Sequence, residues 1–387
     1  MKKVKVLLVG IGGYGANYIK ELTEKNVTSA VIEGICEVMP DVENIYPVIK
    51  EENIPVYKAP EEFYKEHQAD LAIISTPIHL HYNQIITCMK HGSHVLTEKP
   101  VCTTVKGAEE LIALEKETGR FIAVGYQLNY SKDVLAMKRD ILDGKYGKPI
   151  YMKALHAMSR GENYYNRNNW AGKIEVHGCA VNDSPFNNAC AHQFQNMTFL
   201  LGKEMDRAAE ISSVEAELYR ANSQVENFDT AAVCARTVDQ VPVCYYTTHD
   251  LEDKKLGPVC EYKFEKAVIY YGKDYGGGPV MDYVAEMNDG STFSYGTVAK
   301  GERLQKLYDT LDCVQNGGHP VCTVQCGIPH LEVVNELAKM PVRQIGEDHL
   351  EHVEVDGDRF CRIRNLKKIF LTCYENQEMP SKVGADW

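Results

Sequence analysis

Short apolar runs and amphipathic stretches alternate along the first third of the chain. The runs are Val4–Val9, Ala30–Cys36, Leu71–Ser75, His94–Leu96 and Phe121–Val124. Between them, Ala16–Glu24, Asn83–Lys90 and Val105–Thr118 carry apolar residues at three- and four-residue spacing, the period of a helix with one buried face. Strands that are apolar throughout, each followed by a helix, predict a parallel sheet covered on both faces. This is a doubly wound α/β domain, assigned here to residues 1–126. After a helical stretch at Lys132–Leu142 the texture changes. Ile150–Ala157, Ala208–Leu218, Thr230–Val238, Val241–Thr247, Ala267–Tyr271 and Val280–Glu286 are β-rich and separated by polar or glycine-bearing turns. Residues 127–387 therefore read as an α+β domain with a large, mostly antiparallel sheet, one face covered by helices. Later helices are expected at Arg303–Cys313, Pro329–Ala338 and Asn365–Tyr374, within an ordered tail.

The 387 residues suit two domains, and 44% hydrophobic with 25% charged residues is a globular balance. A net charge of −12 argues against nucleic acid or an anionic membrane surface as the main partner. The apolar run Val4–Val9 leads into glycines rather than a cleavage site, so no secretory leader is expected, and no apolar stretch is long enough to span a bilayer. The 13 cysteines, scattered from Cys36 to Cys373, read as reduced core thiols of a cytoplasmic protein.

Gly10-Ile11-Gly12-Gly13-Tyr14-Gly15 follows the first apolar run and opens the first helix. In such a loop Gly10 permits the tight turn, Gly12 lets the backbone approach a pyrophosphate, and Gly15 lets helix and strand pack closely. Glu37 ends the second run, about twenty residues past the last glycine as expected of the acid that binds ribose hydroxyls. No cation stands in Val38-Met39-Pro40, and a carboxylate repels a 2′-phosphate, so NAD is expected rather than NADP.

Ser75-Thr76-Pro77-Ile78-His79-Leu80-His81 and Glu98-Lys99-Pro100 end the next two apolar runs, at the sheet edge where ligands of doubly wound domains bind. His79 and His81 are two residues apart with no acidic or thiol partner at a ligand-like spacing. Cys322, Cys326 and His330 have helical spacing, and with no fourth ligand in reach they read as core packing. No metal is expected.

With the glycine loop, Glu37, Thr76-Pro77, Glu98-Lys99-Pro100, Gly125-Tyr126-Gln127 and Gly144-Lys145-Tyr146-Gly147-Lys148-Pro149, the sequence resembles the glucose–fructose oxidoreductase, inositol dehydrogenase and MocA family. The resemblance implies an amino-terminal Rossmann domain and contacts to the cofactor from Thr76, Pro77, His79, His81, Glu98, Lys99 and Gln127. It also implies a homo-dimer or homo-tetramer. In that family a lysine and a downstream histidine flank the nicotinamide, the histidine preceded by an aspartate four residues earlier. Lys99 matches the lysine and His192 the histidine, while Asn188 stands where the aspartate is usual.

The residues around His192 carry a reading of their own. Ser184 and Pro185 predict a helix over 185–201. Phe186, Cys190, Phe194, Met197 and Leu201 share one face, and Asn188, His192, Gln195 and Asn196 gather on the other. Pro185 through Gly202 contains no charged residue, so the polar face suits a polyhydroxylated ligand better than bulk water. Asp183 precedes the helix as a further carboxylate. Arg160, Tyr164, Tyr165, Arg167, Asn168, Asn169 and Trp170 form a polar, aromatic loop fitted to a sugar, and His249 points from the large sheet toward the same ligand.

These readings predict an NAD-dependent oxidoreductase acting on a secondary hydroxyl of a sugar, glycoside or cyclitol. His192 is the acid–base, Lys99 the cation on the reacting oxygen, and Asn188 an orienting group. Two alternatives stand beside it: an NAD-retaining enzyme that cleaves glycosides through a transient keto-sugar, and a non-enzymatic NAD-binding regulator.

Overall fold

The computed structural model describes residues 2–25, 27–296 and 303–387. The chain divides into two compact units. One comprises Met1–Tyr130 with Ala299–Ile328, the other Ser131–Val298 with Pro329–Trp387.

The first unit holds a parallel sheet of β1 (Val4–Val9), β2 (Ala30–Cys36), β3 (Val56–Tyr57), β4 (Leu71–Ile74), β5 (His94–Thr97) and β6 (Ile122–Val124), in the order β3-β2-β1-β4-β5-β6. The order reverses between β1 and β4, the switch point where such sheets bind ligands. Its core joins Val6, Leu8, Ile35, Leu71, Ile73 and Leu96 to Tyr18 and Ile19 of the helix Ala16–Glu24. The helix Val105–Thr118 is bounded by local chemistry: the Thr104 side chain accepts the Gly107 amide, and Gly119 closes the end at φ 64°. The segment after Arg303, expected in the second domain, belongs here. Leu304, Leu307 and Leu311 enter the same core, and the Val124 amide donates to the Cys322 carbonyl at 2.8 Å. The helix expected from Asn83 begins at Ile78 and runs to Lys90, directly after Pro77.

The second unit contains β7 (Pro149–Met158), a small hairpin β8–β9 (Glu175–Val176, Cys179–Ala180), β10 (Ile211–Arg220), β11 (Thr230–Thr237), β12 (Pro242–Thr248), β13 (Lys255–Phe264) and β14 (Ala267–Tyr271). A second hairpin β15–β16 (Lys273–Asp274, Pro279–Val280), then β17 (Val284–Met287), β18 (Thr292–Ser294), β19 (Val342–Gln344) and a third hairpin β20–β21 (Leu350–Val355, Asp358–Ile363) follow. The large sheet runs β18-β17-β14-β13-β7-β12-β11-β10-β19. It is antiparallel except for the parallel pairs β7–β12 and β10–β19. Covering by helices on one face alone does not hold at its centre. Tyr245 points to the side of the helix Ala191–Leu200, where its hydroxyl donates to the Cys190 carbonyl at 2.6 Å. Tyr246, one residue on and so on the opposite face, packs with Phe370 of the helix Leu366–Asn376. The tail helix therefore covers the far side of β7 and β12.

Eleven cysteines are thiols, as expected, but Cys234 and Cys244 are not. They stand opposite each other on β11 and β12 and form a disulfide. Among the described residues, no helix is long and apolar enough to cross a membrane.

Candidate active site

The glycine loop joins β1 to the helix Ala16–Glu24. Gly10 has φ +81°, and a Cβ there would come within 2.9 Å of Thr76 Cγ2. A Cβ at Gly15 would lie 2.1 Å from the Gly10 carbonyl oxygen. Side chains are excluded at both places, one by the turn and one by helix–loop contact. Gly13 also has a positive φ, +54°, with open space where a Cβ would be. An anion already rests on this loop. Glu37 Oε2 accepts the amides of Ile11 at 2.8 Å and Gly12 at 3.1 Å, and Oε1 accepts those of Val38 at 2.8 Å and Met39 at 3.0 Å. The loop amides thus form an anion-accepting cradle of the kind a dinucleotide needs. Glu37 is where the sequence places it, with all four acceptor positions filled by its own chain.

At the carboxyl edge of the sheet, Thr76 Oγ1 donates to Gln84 Oε1 at 2.5 Å. Pro77 precedes the first turn of the helix, which carries His79. His81 is corrected from a cofactor contact to a pin. It is buried, with Nδ1 2.8 Å from the Pro100 carbonyl and Nε2 2.8 Å from that of Thr76. Burial pulls its pKa down while the two carbonyls pull it up, and burial prevails. The ring ties the loop after β4 to the loop after β5, and both nitrogens are used. Gln127 lies in the short 3-10 turn Gln127–Tyr130 that follows β6.

Lys99 follows β5, half-buried, between Glu98 and Pro100. Glu98 is held from two sides: Lys306 Nζ and the Tyr18 hydroxyl each donate to its Oε1 at 2.6 Å. Lys306 is 1% exposed, and its ammonium lies 4.6 Å from the Tyr14 ring centroid and 5.6 Å from that of Tyr18. Burial raises the Tyr14 and Tyr18 phenol pKa values, Tyr18 strongly and with Glu98 adding to it. The sequence reading missed Lys306 and Tyr18. The signal for Lys306 is slight: a cation beside Leu307 on an otherwise apolar helix face.

In the second unit the continuous helix is Ala191–Leu200, and residues 185–190 are turns. Ser184 does cap, its Oγ accepting the Asn187 amide at 3.1 Å, but the Cys190 amide reaches back to the Pro185 carbonyl and winds this stretch differently. Asn188 is therefore not on the helix face that carries His192. Its Nδ2 donates to Asp183 Oδ1 at 2.8 Å, and Asp183 Oδ2 accepts the Gly172 amide at 2.6 Å. Asp183 is 2% exposed. Gln195 and Asn196, expected on a ligand-facing side, are fully buried, and Asn196 Nδ2 donates to the Tyr283 hydroxyl at 3.3 Å. The helix lacks charges because it is buried nearly all round. His192 and Gln193 are the half-buried exceptions.

The loop after β7 and the end of β12 supply a second group. Tyr165 Oη and His249 Nδ1 are 3.0 Å apart, and the Tyr164 ring lies edge-on to His249 at 5.2 Å. The guanidinium carbon of Arg167 is 3.6 Å from the Tyr164 ring centroid and 5.4 Å from that of Trp170; that of Arg160 is 4.6 Å from Tyr164. Burial, then the charges of Arg160 and Arg167, hold His249 well below the usual imidazole range, so it is neutral near pH 7. His156, bonded through Nδ1 to Gln193 Oε1 at 3.1 Å, is lowered to about 4 mainly by burial. Burial raises the Tyr164 phenol to about 12. Tyr165, Arg167, Trp170 and His249 are thus one cluster, and Asp183 with Asn188 a second. Arg160 and Tyr164, to which only loop composition pointed, join the first, as does His156 of β7, which the sequence reading did not single out. His330 stacks on Phe186 and bonds to its carbonyl at 3.1 Å. No group of three or more His, Cys, Asp or Glu side chains that could hold a metal is present among the described residues.

A family model described as an oxidoreductase family with an NAD-binding Rossmann fold, GFO_IDH_MocA, matches residues 4–126. The inositol 2-dehydrogenase/D-chiro-inositol 3-dehydrogenase of Lactiplantibacillus plantarum is 26% identical over 155 residues, 39% of this chain and 43% of its own. The 2,7-anhydro-N-acetylneuraminate hydratase of Mediterraneibacter gnavus is 27% identical over 151 residues, 39% of each chain. The chain thus spans less than half the length of these two curated relatives. The crystal structure of the WlbA dehydrogenase from Bordetella pertussis, in complex with NADH and UDP-GlcNAcA, aligns with a TM-score of 0.70 and 19% identity. That alignment covers 87% of this chain and 96% of the other, and at this identity the likeness is one of fold. Across its glycine loop, its Glu98-Lys99-Pro100 turn and the six strands of its parallel sheet, residues 4–126 match the NAD-binding Rossmann domain of the Gfo/Idh/MocA oxidoreductase family.

Proposed function

We propose that the protein is an NAD-dependent oxidoreductase acting on a secondary hydroxyl of a sugar, glycoside or cyclitol. The observation that carries this reading is Lys99 at the carboxyl end of β5, in a family whose matched domain is an NAD-binding Rossmann fold. The anion-accepting glycine loop fits the dinucleotide, and the carboxylate of Glu37 beside it favours NAD over NADP. Bound NAD supplies the hydride acceptor. Lys99, as a cation, hydrogen-bonds the substrate oxygen and stabilises alkoxide character as the hydride leaves. His192 takes the hydroxyl proton. Asn188, anchored on Asp183, orients the substrate rather than setting the charge of His192. We read the protein as cytoplasmic and homo-oligomeric, a dimer or tetramer, which light scattering checks directly.

The test is NADH formation with a panel of sugars, glycosides and cyclitols. Net NADH with one of them supports the reading. A relative named as a hydratase favours a second reading, in which NAD stays bound and a glycosidic bond is broken through a transient ketone. Aglycone release without net NADH selects it. NAD binding without either reaction overturns both.

A further inference from the structure

Resting on that reading, we propose that the substrate is an acid: Arg160, Arg167 and His249 form a subsite for a carboxylate on the sugar or cyclitol. Both guanidinium groups are gathered on the Tyr164 ring, at 4.6 and 3.6 Å, which brings two like charges close together. Neither is within ion-pair distance of a carboxylate among the described residues. Arg167 donates to the Tyr164 carbonyl, and Arg160 has a contact of 3.7 Å to Met158 Sδ. The nearby acid, Asp183, spends its oxygens on the Gly172 amide and on Asn188.

His249 is 2% exposed, and its Nε2 has no hydrogen-bond partner within the described chain. The same holds for the buried Nε of Arg160, Oγ of Ser159 and Nε2 of His156. Neutral His249 faces Tyr165 through Nδ1; with the phenol donating there, the proton sits on Nε2 and is offered outward. Two guanidinium groups without a carboxylate stand beside two buried nitrogens, Arg160 Nε and His249 Nε2, that have no acceptor within the described chain. Their complement is an anion with several lone pairs, and the planar guanidinium fork matches a carboxylate best. Leaving like charges together and buried N–H groups unpaired is unfavourable, and a bound carboxylate relieves both.

The test compares sugar acids (glucuronate, galacturonate, gluconate) with their neutral counterparts and with sugar phosphates. Two readouts are taken: NADH formation, and the thermal shift of the NAD-loaded protein. The acids are expected to give kcat/KM, or apparent affinity, about tenfold or more above the neutral forms. Arg160→Met and Arg167→Met should each lower that acid-over-neutral ratio about tenfold, with NAD affinity retained as evidence of folding. Equal loss on acid and neutral ligands, or no preference in the wild type, overturns the proposal. A stronger response to phosphates than to carboxylates overturns the assigned class. Acid binding that depends on the arginines, without NADH formation, keeps the subsite and removes the oxidoreductase reading instead.

Discussion

The carboxyl edge of the parallel sheet and the loop cluster of the second unit treat charge in opposite ways. At the edge, charges are answered within the chain, Glu98 by Lys306 and Tyr18 and Glu37 by four amides, and both nitrogens of His81 face carbonyls. In the loop cluster, Arg160 and Arg167 are stacked on Tyr164 without a carboxylate, and His249 keeps an unanswered nitrogen. A site that serves one cofactor can be completed in advance, because the ligand never varies. A site that selects a substrate keeps donors in reserve, and its specificity is the set of groups the protein does not satisfy itself.

The largest effects should fall on the residues kept for the reaction. Lys99→Met and His192→Ala are each expected to lower kcat by roughly 10²–10⁴-fold, and in His192→Ala NAD affinity, read by fluorescence titration, should change little. Full activity in either variant removes that residue from the mechanism. Next comes the completed edge. Lys306→Met removes the counter-ion of Glu98, whose side chain is 13% exposed, and should cost about 3–5 kcal/mol in urea unfolding. A loss well under ~1 kcal/mol, the value of an exposed pair, would show that the edge is not held by its internal charge pairing.

A smaller effect is expected of the acid pair Asp229 and Asp250. Both are fully buried, and Asp229 Oδ2 accepts the amides of Ala221 and Asn222 at 2.8 Å. Burial, then the charge of Asp229, raises Asp250 well above the ordinary carboxylate range, and burial raises Asp229. A carboxyl whose folded pKa is raised binds more protons folded than unfolded, so stability falls as pH rises above about 4. Asp250→Asn should flatten that loss, giving a stability difference from wild type that grows in its favour between acid and neutral pH. An unchanged pH profile of unfolding would show the pair is not protonated. The mildest expectation concerns the cofactor: NAD should bind about tenfold tighter than NADP, because a carboxylate at Glu37 would repel a 2′-phosphate. Equal affinities in a titration would refute it.

What could be read in advance follows the range of the forces involved. β1, the glycine loop and the helices Ala16–Glu24 and Val105–Thr118 are visible because periodicity, turn glycines and caps act over a few residues. Asn188 departs from the expected face because the turn at 185–190 resets the phase, and Gln195 and Asn196 because the helix is buried nearly all round. The early start of the helix at Ile78 escaped notice because His79 and His81 read as loop, until the carbonyls on either side of His81 show why it is inside.

The sequence by itself determined the two kinds of sheet and the glycine loop with its acid. Local patterning and chain chemistry suffice for these. Only the tertiary structure decided that Arg303 onward rejoins the first core, that Lys306 holds Glu98, and that the tail helix covers the far side of β7 and β12. It alone gathered Arg160, Arg167 and His249 on Tyr164. Apart from the two arginines, which stand within four residues of Tyr164, each of these joins residues tens to hundreds of positions apart, and no local spacing encodes which buried charge meets which partner once the chain has closed.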